Sequence, residues 1–555
     1  MKNQFYHKFT NSFFITFFLI MSIFFYFPDY SNAKAGQTTI SLNEVEQILK
    51  TKRNFNNKDI SNLNLSEADF SKISIENANL RATIFSKANL SDTFFKFIDL
   101  SDADMQNAYM SGCKIDRSIM NKVKLNNANF NCGFIVSCEM KSADLSGANL
   151  RGIFIKTTNL KNANLSCANL SFSFINADLS NANLKNTDMH GAILINVNLK
   201  NADLNRINLS GAKMEAIDMA GAKGFCTNLS EANLNYVVMS NVEMMAANLS
   251  GVYFGGGAIS NADLNTAILQ NANLNNTVIL NTNLSKADLR YSSFLNSYLC
   301  DVNLSGANLN KSNLKSVEMR QTILNDAICK NADLNQANLS GNTLENANLE
   351  NANLSRTNLS GSNLKNANLS NTKLNDANLE NANLENANLE NADLENADLN
   401  NSKLTRANFK NVDLSGFNLS NINLKNADFS NARLDGTNFQ NSDLSKVNLS
   451  DSNLKNANLS NTKLNDAIIK NAVLKNADLN NANLKNTDLR NANLKNANFV
   501  NANLIKVHFC GADLENTDFN GANIKGADFT GAKTDLILNI KKTKNIDKAK
   551  GLNAF

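Results

Sequence analysis

The side chains able to do chemistry in this chain of 555 residues are 3 histidines, 8 cysteines and 50 carboxylates, and their spacing decides which chemistry is open to them. Zinc needs about four Cys or His ligands converging on one point, supplied by closely spaced pairs. His7, His190 and His508 stand far apart, and Cys113, Cys132, Cys138, Cys167, Cys226, Cys300, Cys329 and Cys510 include no Cys-x-x-Cys pair. There is no glycine-rich phosphate loop and no Gly-x-Ser-x-Gly elbow, so neither a phosphate cradle nor an activated serine is indicated. Glu380, Glu385, Glu390 and Glu395 look like an acidic run, but acid–base work needs a pocket that moves a carboxyl pKa. Lys541, Lys542, Lys544, Lys548 and Lys550 form a basic tail interrupted by Asp547, which reads as a soluble terminal face. No catalytic, cofactor-binding or metal-binding residue is nominated.

All of these positions are placed by one repeating element. From about residue 60 to residue 529 the chain runs in fives: a small residue, Asn or Asp, a large apolar residue, then two polar ones. Residues 381–394 read NANLENANLENADL, with Leu384, Leu389 and Leu394 on one phase and Ala382, Ala387 and Ala392 two places before them. A helix would spread residues five apart around half its circumference, and a flat strand would send alternate leucines to opposite faces. A chain winding around a four-sided tube, five residues per side and 20 per turn, turns every fifth Leu inward. Backbone groups of each turn then pair with the turns above and below at roughly 4.8 Å.

In that geometry residues 20 apart stack. Leu354, Leu374, Leu394, Leu414 and Leu434 should form one inner column, and Asn351, Asn371, Asn391, Asn411 and Asn431 an outer amide ladder of the kind seen where identical side chains stack at strand spacing. The glutamates five apart move to successive sides and form no stripe. Cys113 and Cys138 occupy the inward small slot and Cys329 the large one, while the other cysteines face outward or lie at corners. No two are 20 apart, so they are read as single residues of the repeat, without disulfide pairing.

With these motifs the chain resembles the pentapeptide-repeat proteins, whose tandem motif is A(D/N)LXX. The resemblance covers about five-sixths of the chain and implies an all-β fold, a right-handed quadrilateral β-helix. It also implies one candidate activity, since some members of that family inhibit type II topoisomerases as mimics of duplex DNA.

The flanks differ from the repeat. Residues 1–35 carry Lys2 and Lys8, an apolar run over 13–27 and Ala33-Lys34-Ala35, the pattern of a signal peptide. The run is about 15 residues, short of the roughly 20 that span a bilayer; an uncleaved membrane anchor is the competing reading. Residues 36–59 form a capping segment: Ser41 with Glu44 is a capping box that predicts a short helix over 42–50, with Leu42, Val45, Ile48 and Leu49 on one face. The repeat proper is assigned to 60–533 and a C-terminal cap to 534–555. Large apolar centres fall on multiples of five up to Leu170 and one place earlier from Leu179 onward. One side is therefore a residue short, and because a fixed inward direction cannot absorb a slip, an irregularity is expected within 171–177. Either Phe174 or Ile175 becomes the inward residue there. Phe417, in a slot meant for Ala, predicts a local adjustment of the bore.

The formal charge is +4, and +2 without the first 35 residues. A DNA mimic needs a dense negative surface and a nucleic-acid binder a basic footprint, so neither is favoured. The reading preferred on sequence is an exported, non-enzymatic β-helical scaffold that binds an unidentified protein at the cell envelope or outside the cell, with no small-molecule substrate. The alternatives are the topoisomerase inhibitor and a membrane-anchored surface rod. Tyr253, Tyr291 and Tyr298 are nominated as the partner surface, because exposed aromatics are enriched at binding hot spots.

Overall fold

A computed structural model describes residues 36–552; the segment read as a signal peptide lies outside them. The described chain divides into two compact units, one ending at Asn273 and the other beginning at Leu274.

Both units are parallel β-solenoids built on the five-residue period. In most fives the small residue and the large apolar residue are buried, and the Asn or Asp between them faces outward. That outward residue forms a parallel bridge to its counterpart 20 residues on, as in Asn348↔Asn368↔Asn388↔Asn408. Its side-chain oxygen accepts the amide two residues later, Glu390 N to Asn388 Oδ1 at 3.2 Å and Ser445 N to Asp443 Oδ1 at 3.0 Å, which is the Asx-turn habit of Asn and Asp. Amide side chains also link coil to coil, Asn408 Nδ2 donating to Asn388 Oδ1 at 2.8 Å.

The corners explain the next residue. In the five beginning at Leu389, the Ala392 amide donates to the Leu389 carbonyl at 2.9 Å, and Asn391 between them has φ 57°. A positive φ at the third residue of a hydrogen-bonded turn is the type II requirement, which favours Gly or Asn. Gly341 (φ 70°) and Gly416 (φ 74°) fill equivalent corners.

In the first unit β1 (Thr38–Thr39) pairs with β2 (Lys58–Asp59), and helix α1 (Leu42–Lys50) lies between them in sequence. The Ser41 side chain accepts from the Glu44 amide and the Glu44 carboxylate accepts from the Ser41 amide at 2.6 Å. Val45 is fully buried, whereas Leu42 is 41% exposed; the helix docks through Val45, and Leu42, as its first residue, is left outside the buried face. One side then forms an eight-stranded parallel sheet: β3 (Ser74–Glu76), β4 (Phe94–Lys96), β5 (Lys114–Asp116), β6 (Phe134–Val136), β7 (Phe154–Asn159), β8 (Phe174–Asp178), β9 (Ile193–Ile195) and β10 (Lys213–Glu215). Between β7 and β8 the register shifts: Lys156 pairs with Asn176, but Thr158 pairs with Ala177, leaving Thr157 bulged. Ile175 is the inward residue, fully buried, and Phe174 faces outward. β11 (Val238–Ser240) and β12 (Ala258–Ser260) pair on another side.

In the second unit β13 (Val278–Leu280), β14 (Tyr298–Cys300) and β15 (Glu318–Arg320) pair in parallel, and later coils are joined by single bridges. Phenylalanines stack inside, Phe409 on Phe429 at 4.9 Å and Phe509 on Phe529 at 4.9 Å. The segment assigned to the C-terminal cap continues as a coil with loosened corners. Its bridges Asp518↔Leu538, Asn523↔Lys544 and Asp528↔Lys550 take in extra residues through 3₁₀ turns at Ile540–Lys542 and Ile546–Lys548.

Candidate functional site

The solenoid sorts side chains into an inner set that holds the fold and an outer set free to meet partners. Leu354, Leu374, Leu394, Leu414 and Leu434 are all buried, 1% exposed at most. Cys113, Cys138 and Cys329 are buried too, and Cys132, Cys167 and Cys226 are exposed. Burial pushes the Cys138 and Cys329 thiols up to about 12, which suppresses the nucleophilic thiolate.

In the outer Asn column, Asn411 donates to Asn391 at 2.9 Å and Asn391 to Asn371 at 3.1 Å. At the next level the pattern changes: the Asn351 amide turns to the Glu350 carboxylate at 3.5 Å, whose charge makes it the better acceptor. All five, Asn431 included, hold the left-handed corner conformation.

Tyr253 and Tyr291 are exposed, 46% and 51%, and Tyr298 in β14 is half-buried. Lys311 Nζ lies 5.5 Å from the Tyr291 ring and the Arg320 guanidinium 5.8 Å from the Tyr298 ring. Tyr298 and Tyr291 stand on different positions of the repeat, one at the middle of an outward side and one at a corner with φ 60°.

A larger aromatic face lies on the first unit's sheet, where sequence reasoning did not look. The outward residues of β6, β7 and β8 are Phe134, Phe154 and Phe174, with ring centroids 5.9 and 4.8 Å apart. Lys114 Nζ sits 5.5 Å from Phe134 at one end, and Ile193 of β9, 39% exposed, follows Phe174 at the other. Beside them Phe172 is 55% exposed at a corner with φ 57°, a conformation that bulky residues seldom adopt. The Arg151 guanidinium is 5.3 Å from its ring, and the His190 ring meets it edge-on at 4.6 Å. His190 Nδ1 is 2.9 Å from Asp188 Oδ1. The signal was in the chain: 134, 154 and 174 are 20 apart, each one place before an inward centre.

The second unit carries a breach. Bridges join Lys373↔Asp393 and Asp413↔Arg433, yet among the described residues none joins Asp393 to Asp413, Asp398 to Asn418 or Lys403 to Asn423. The amides of Leu394, Leu399 and Leu404, which elsewhere donate to the coil 19 residues on, have no backbone acceptor, and neither do those of Asp413, Asn418 and Asn423. Pairing resumes at Asn408↔Asp428. A cavity of about 680 Å³ fills the gap, lined among others by Asp393, Leu394, Glu395, Asp413 and Phe417. Phe417 takes the position filled by Ala397 one coil earlier and Thr437 one coil later, both buried; a phenylalanine is too large for that slot, and it is only half-buried. Asp393 and Asp413 hold the same outward position on facing coils, and like charges directly opposite repel. Partial burial raises the Asp413 carboxyl, but hydrogen bonds from Ser415, and then Arg433 at 3.3 Å, hold it below the usual carboxylate range.

Among the described residues no group of three or more His, Cys, Asp or Glu side chains is arranged to hold a metal, and no helix is long and apolar enough to cross a membrane.

Comparison with known proteins agrees with this architecture. The sequence matches the family described as "Pentapeptide repeats (8 copies)" over residues 59–96, 95–131, 138–171, 173–224, 227–265, 267–306, 303–341, 343–381, 382–421, 467–504 and 497–533. It matches "Pentapeptide repeat region" over 402–478. Among solved structures it is similar to HetL, a pentapeptide repeat protein involved in heterocyst differentiation regulation from the cyanobacterium Nostoc sp. strain PCC 7120. That match has 21% identity and covers 66% of this chain and 96% of that one, with a TM-score of 0.11. It is also similar to full-length QnrB1, a plasmid-mediated fluoroquinolone resistance protein, with 18% identity, coverage of 39% and 92%, and a TM-score of 0.14. A third similar structure is a pentapeptide repeat protein from the Arabidopsis thaliana thylakoid lumen, with 28% identity, coverage of 20% and 65%, and a TM-score of 0.10. No curated protein matches the sequence.

Proposed function

The chain belongs to the pentapeptide-repeat family, and on that premise we propose that it is an exported, non-enzymatic β-helical scaffold that binds a protein partner at the cell envelope or outside the cell. The observation that carries the reading is the aromatic face of β6, β7 and β8. A solenoid coil needs its inward Leu and Ala; the outward side is under no packing demand for phenylalanine. An exposed Phe134 in ring contact with the half-buried Phe154 and Phe174, the last two stacked, and flanked by Lys114 and Arg151, matches the aromatic and Arg enrichment of binding hot spots. Phe172, 55% exposed two residues before Phe174, adds a further aromatic ring beside them.

Export rests on the residues of 1–35. Mass spectrometry of the amino terminus from envelope and extracellular fractions is expected to find a mature chain beginning at Gly36. Crosslinking in the native host, followed by partner identification, tests the scaffold: a partner captured by the wild-type chain should be lost from a Phe134→Ser, Phe154→Ser, Phe174→Ser variant. Capture at equal yield by both would remove the aromatic face from the interface.

The topoisomerase reading finds less support in the surface. Acidic groups are interleaved with basic ones across neighbouring coils, as in Lys330–Glu350 at 3.1 Å and Lys410–Glu390 at 3.6 Å. Among the described residues such pairs interrupt the negative charge that a duplex mimic requires.

A further inference from the structure

We propose that the breach between residues 392–404 and 412–423 is a binding site for an extended peptide segment that alternates apolar and basic residues, taken up as an added strand. This goes beyond the aromatic face, which lies in the other unit.

Each solenoid coil ordinarily satisfies its neighbours' amides and carbonyls, and an unpaired strand edge is a template for another strand. Here both lips are unpaired: Leu394, Leu399 and Leu404 keep free amides on one side, and Asp413, Asn418 and Asn423 on the other. Each side of the coil is separated from the next by a turn, so an extended strand would occupy one side, that of Asp393 and Asp413 where the cavity lies, with unpaired backbone above and below it, the strand-addition mode of peptide recognition. The opening is hinged, since pairing survives at Asn388↔Asn408 and Asn408↔Asp428, so the lips are held apart on a fixed frame.

Register then specifies the side chains. In an extended peptide successive residues point to opposite faces. The outward residue of an inserted strand would fall in the column of Asp393 and Asp413, between two carboxylates, with Glu395 also lining the cavity. No lysine or arginine lines it, although Arg433 reaches Asp413 from the coil beyond at 3.3 Å. A lysine or arginine from the partner would therefore convert the Asp393/Asp413 repulsion into a bracketed ion pair. The flanking inward residues would face Leu394, Ala397 and Phe417, an apolar surface. The preferred motif is small apolar, basic, large apolar.

The breach also tells what opposes it. Phe417→Ala restores the residue type of the slot and should let the coils close, without removing any charged group.

The test uses the full chain and a fluorescent synthetic peptide of repeated Ala-Lys-Leu-Lys, which keeps every lysine on one face, with a control peptide carrying glutamate for lysine. Hydrogen exchange is read at the Leu394 and Asp413 amides, on the side of the coil that an added strand would occupy. Expected are fast exchange at those amides in the free protein, protection on adding the lysine peptide, and no binding of the glutamate peptide. Asp393→Asn should weaken binding about fivefold, and Phe417→Ala should abolish it while slowing exchange at the same amides. Slow exchange in the free wild-type chain, equal binding of both peptides, or undiminished binding by Phe417→Ala would each overturn the proposal.

Discussion

Asn391 shows how one residue type serves two purposes in this fold. Its backbone holds φ 57° at a corner, where a Cβ-bearing residue without local polar compensation costs about 1–2 kcal/mol. Its amide bridges to Asn371 at 3.1 Å and accepts from Asn411. Asn391→Ala is expected to destabilise the chain by about 1–2 kcal/mol in urea unfolding. Asn391→Gly keeps the corner and gives up only exposed side-chain bonds, roughly 0.5 kcal/mol. Equal losses in the two variants would assign the position to the ladder instead of the turn. The inner leucine columns were legible because spacing alone fixes which way a residue points. The corner role of Asn was less so, since a ladder and a left-handed turn place Asn at the same position and only φ separates them. Thiols give a second residue-scale prediction. Cys138 is buried in a slot the repeat usually fills with Ala, its pKa raised from 9.0 to about 12 chiefly by desolvation. A group raised on folding contributes stability that is full below its unfolded pKa and is lost as pH climbs through its folded one. Thermal melts should therefore fall between about pH 9 and pH 12. Cys138→Ala should flatten part of that fall, and iodoacetamide at pH 8.5 should label Cys132, Cys167 and Cys226 in the folded chain but spare Cys113, Cys138 and Cys329.

At the scale of elements, α1 is held to the first coil through a single fully buried side chain, Val45. Ile48 and Leu49 are half-buried, and Arg53 adds a hydrogen bond from Nη2 to the Ser71 carbonyl at 2.9 Å. Val45→Asp puts a carboxylate against the coil and should undock the helix. The uncovered coil is then an open strand edge, and sedimentation velocity is expected to show concentration-dependent association absent from the wild type. A monodisperse variant would mean that α1 is not what guards that edge. The helix could be read from Ser41 and Glu44, because a capping box is local chemistry. That Leu42 would lie 41% exposed could not, since helical phase alone does not say how deep a face is seated. The same holds for the breach. Phe417 stood out as too large for its slot, but the facing Asp393 and Asp413 gain meaning only with the coil pairing in hand. The aromatic face is hard to read for a related reason: the 20-residue recurrence of Phe134, Phe154 and Phe174 lies on the outward phase, which core packing does not constrain.

Considered as a whole molecule, the fold draws its stability from contacts between successive coils, so within each unit it is close to a sum of nearest-neighbour terms. Removing one full coil should therefore cost little. Deletion of residues 361–380, which returns every later residue to an equivalent place, is expected to leave a folded chain with a cooperative melt. Deletion of residues 361–378 shifts later residues between inward and outward positions and should abolish folding. Circular dichroism and thermal melts distinguish the two. At this scale the near-neutral charge of +2 without the first 35 residues also predicts that stoichiometric mature protein leaves gyrase supercoiling unchanged; inhibition would restore the duplex-mimic reading.

The uniform stretch that runs from Leu334 toward the breach presents a folding chain with an addressing problem. When neighbouring coils are almost interchangeable, a segment can thread one coil too early or too late and still bury its leucines, and such mispaired states compete with the native one. The Thr157 bulge matches only one place in the first unit, and the Phe417 breach only one in the second. Features that weaken their own coils would thus serve as landmarks, giving each half of the chain a single position from which the remaining coils are counted.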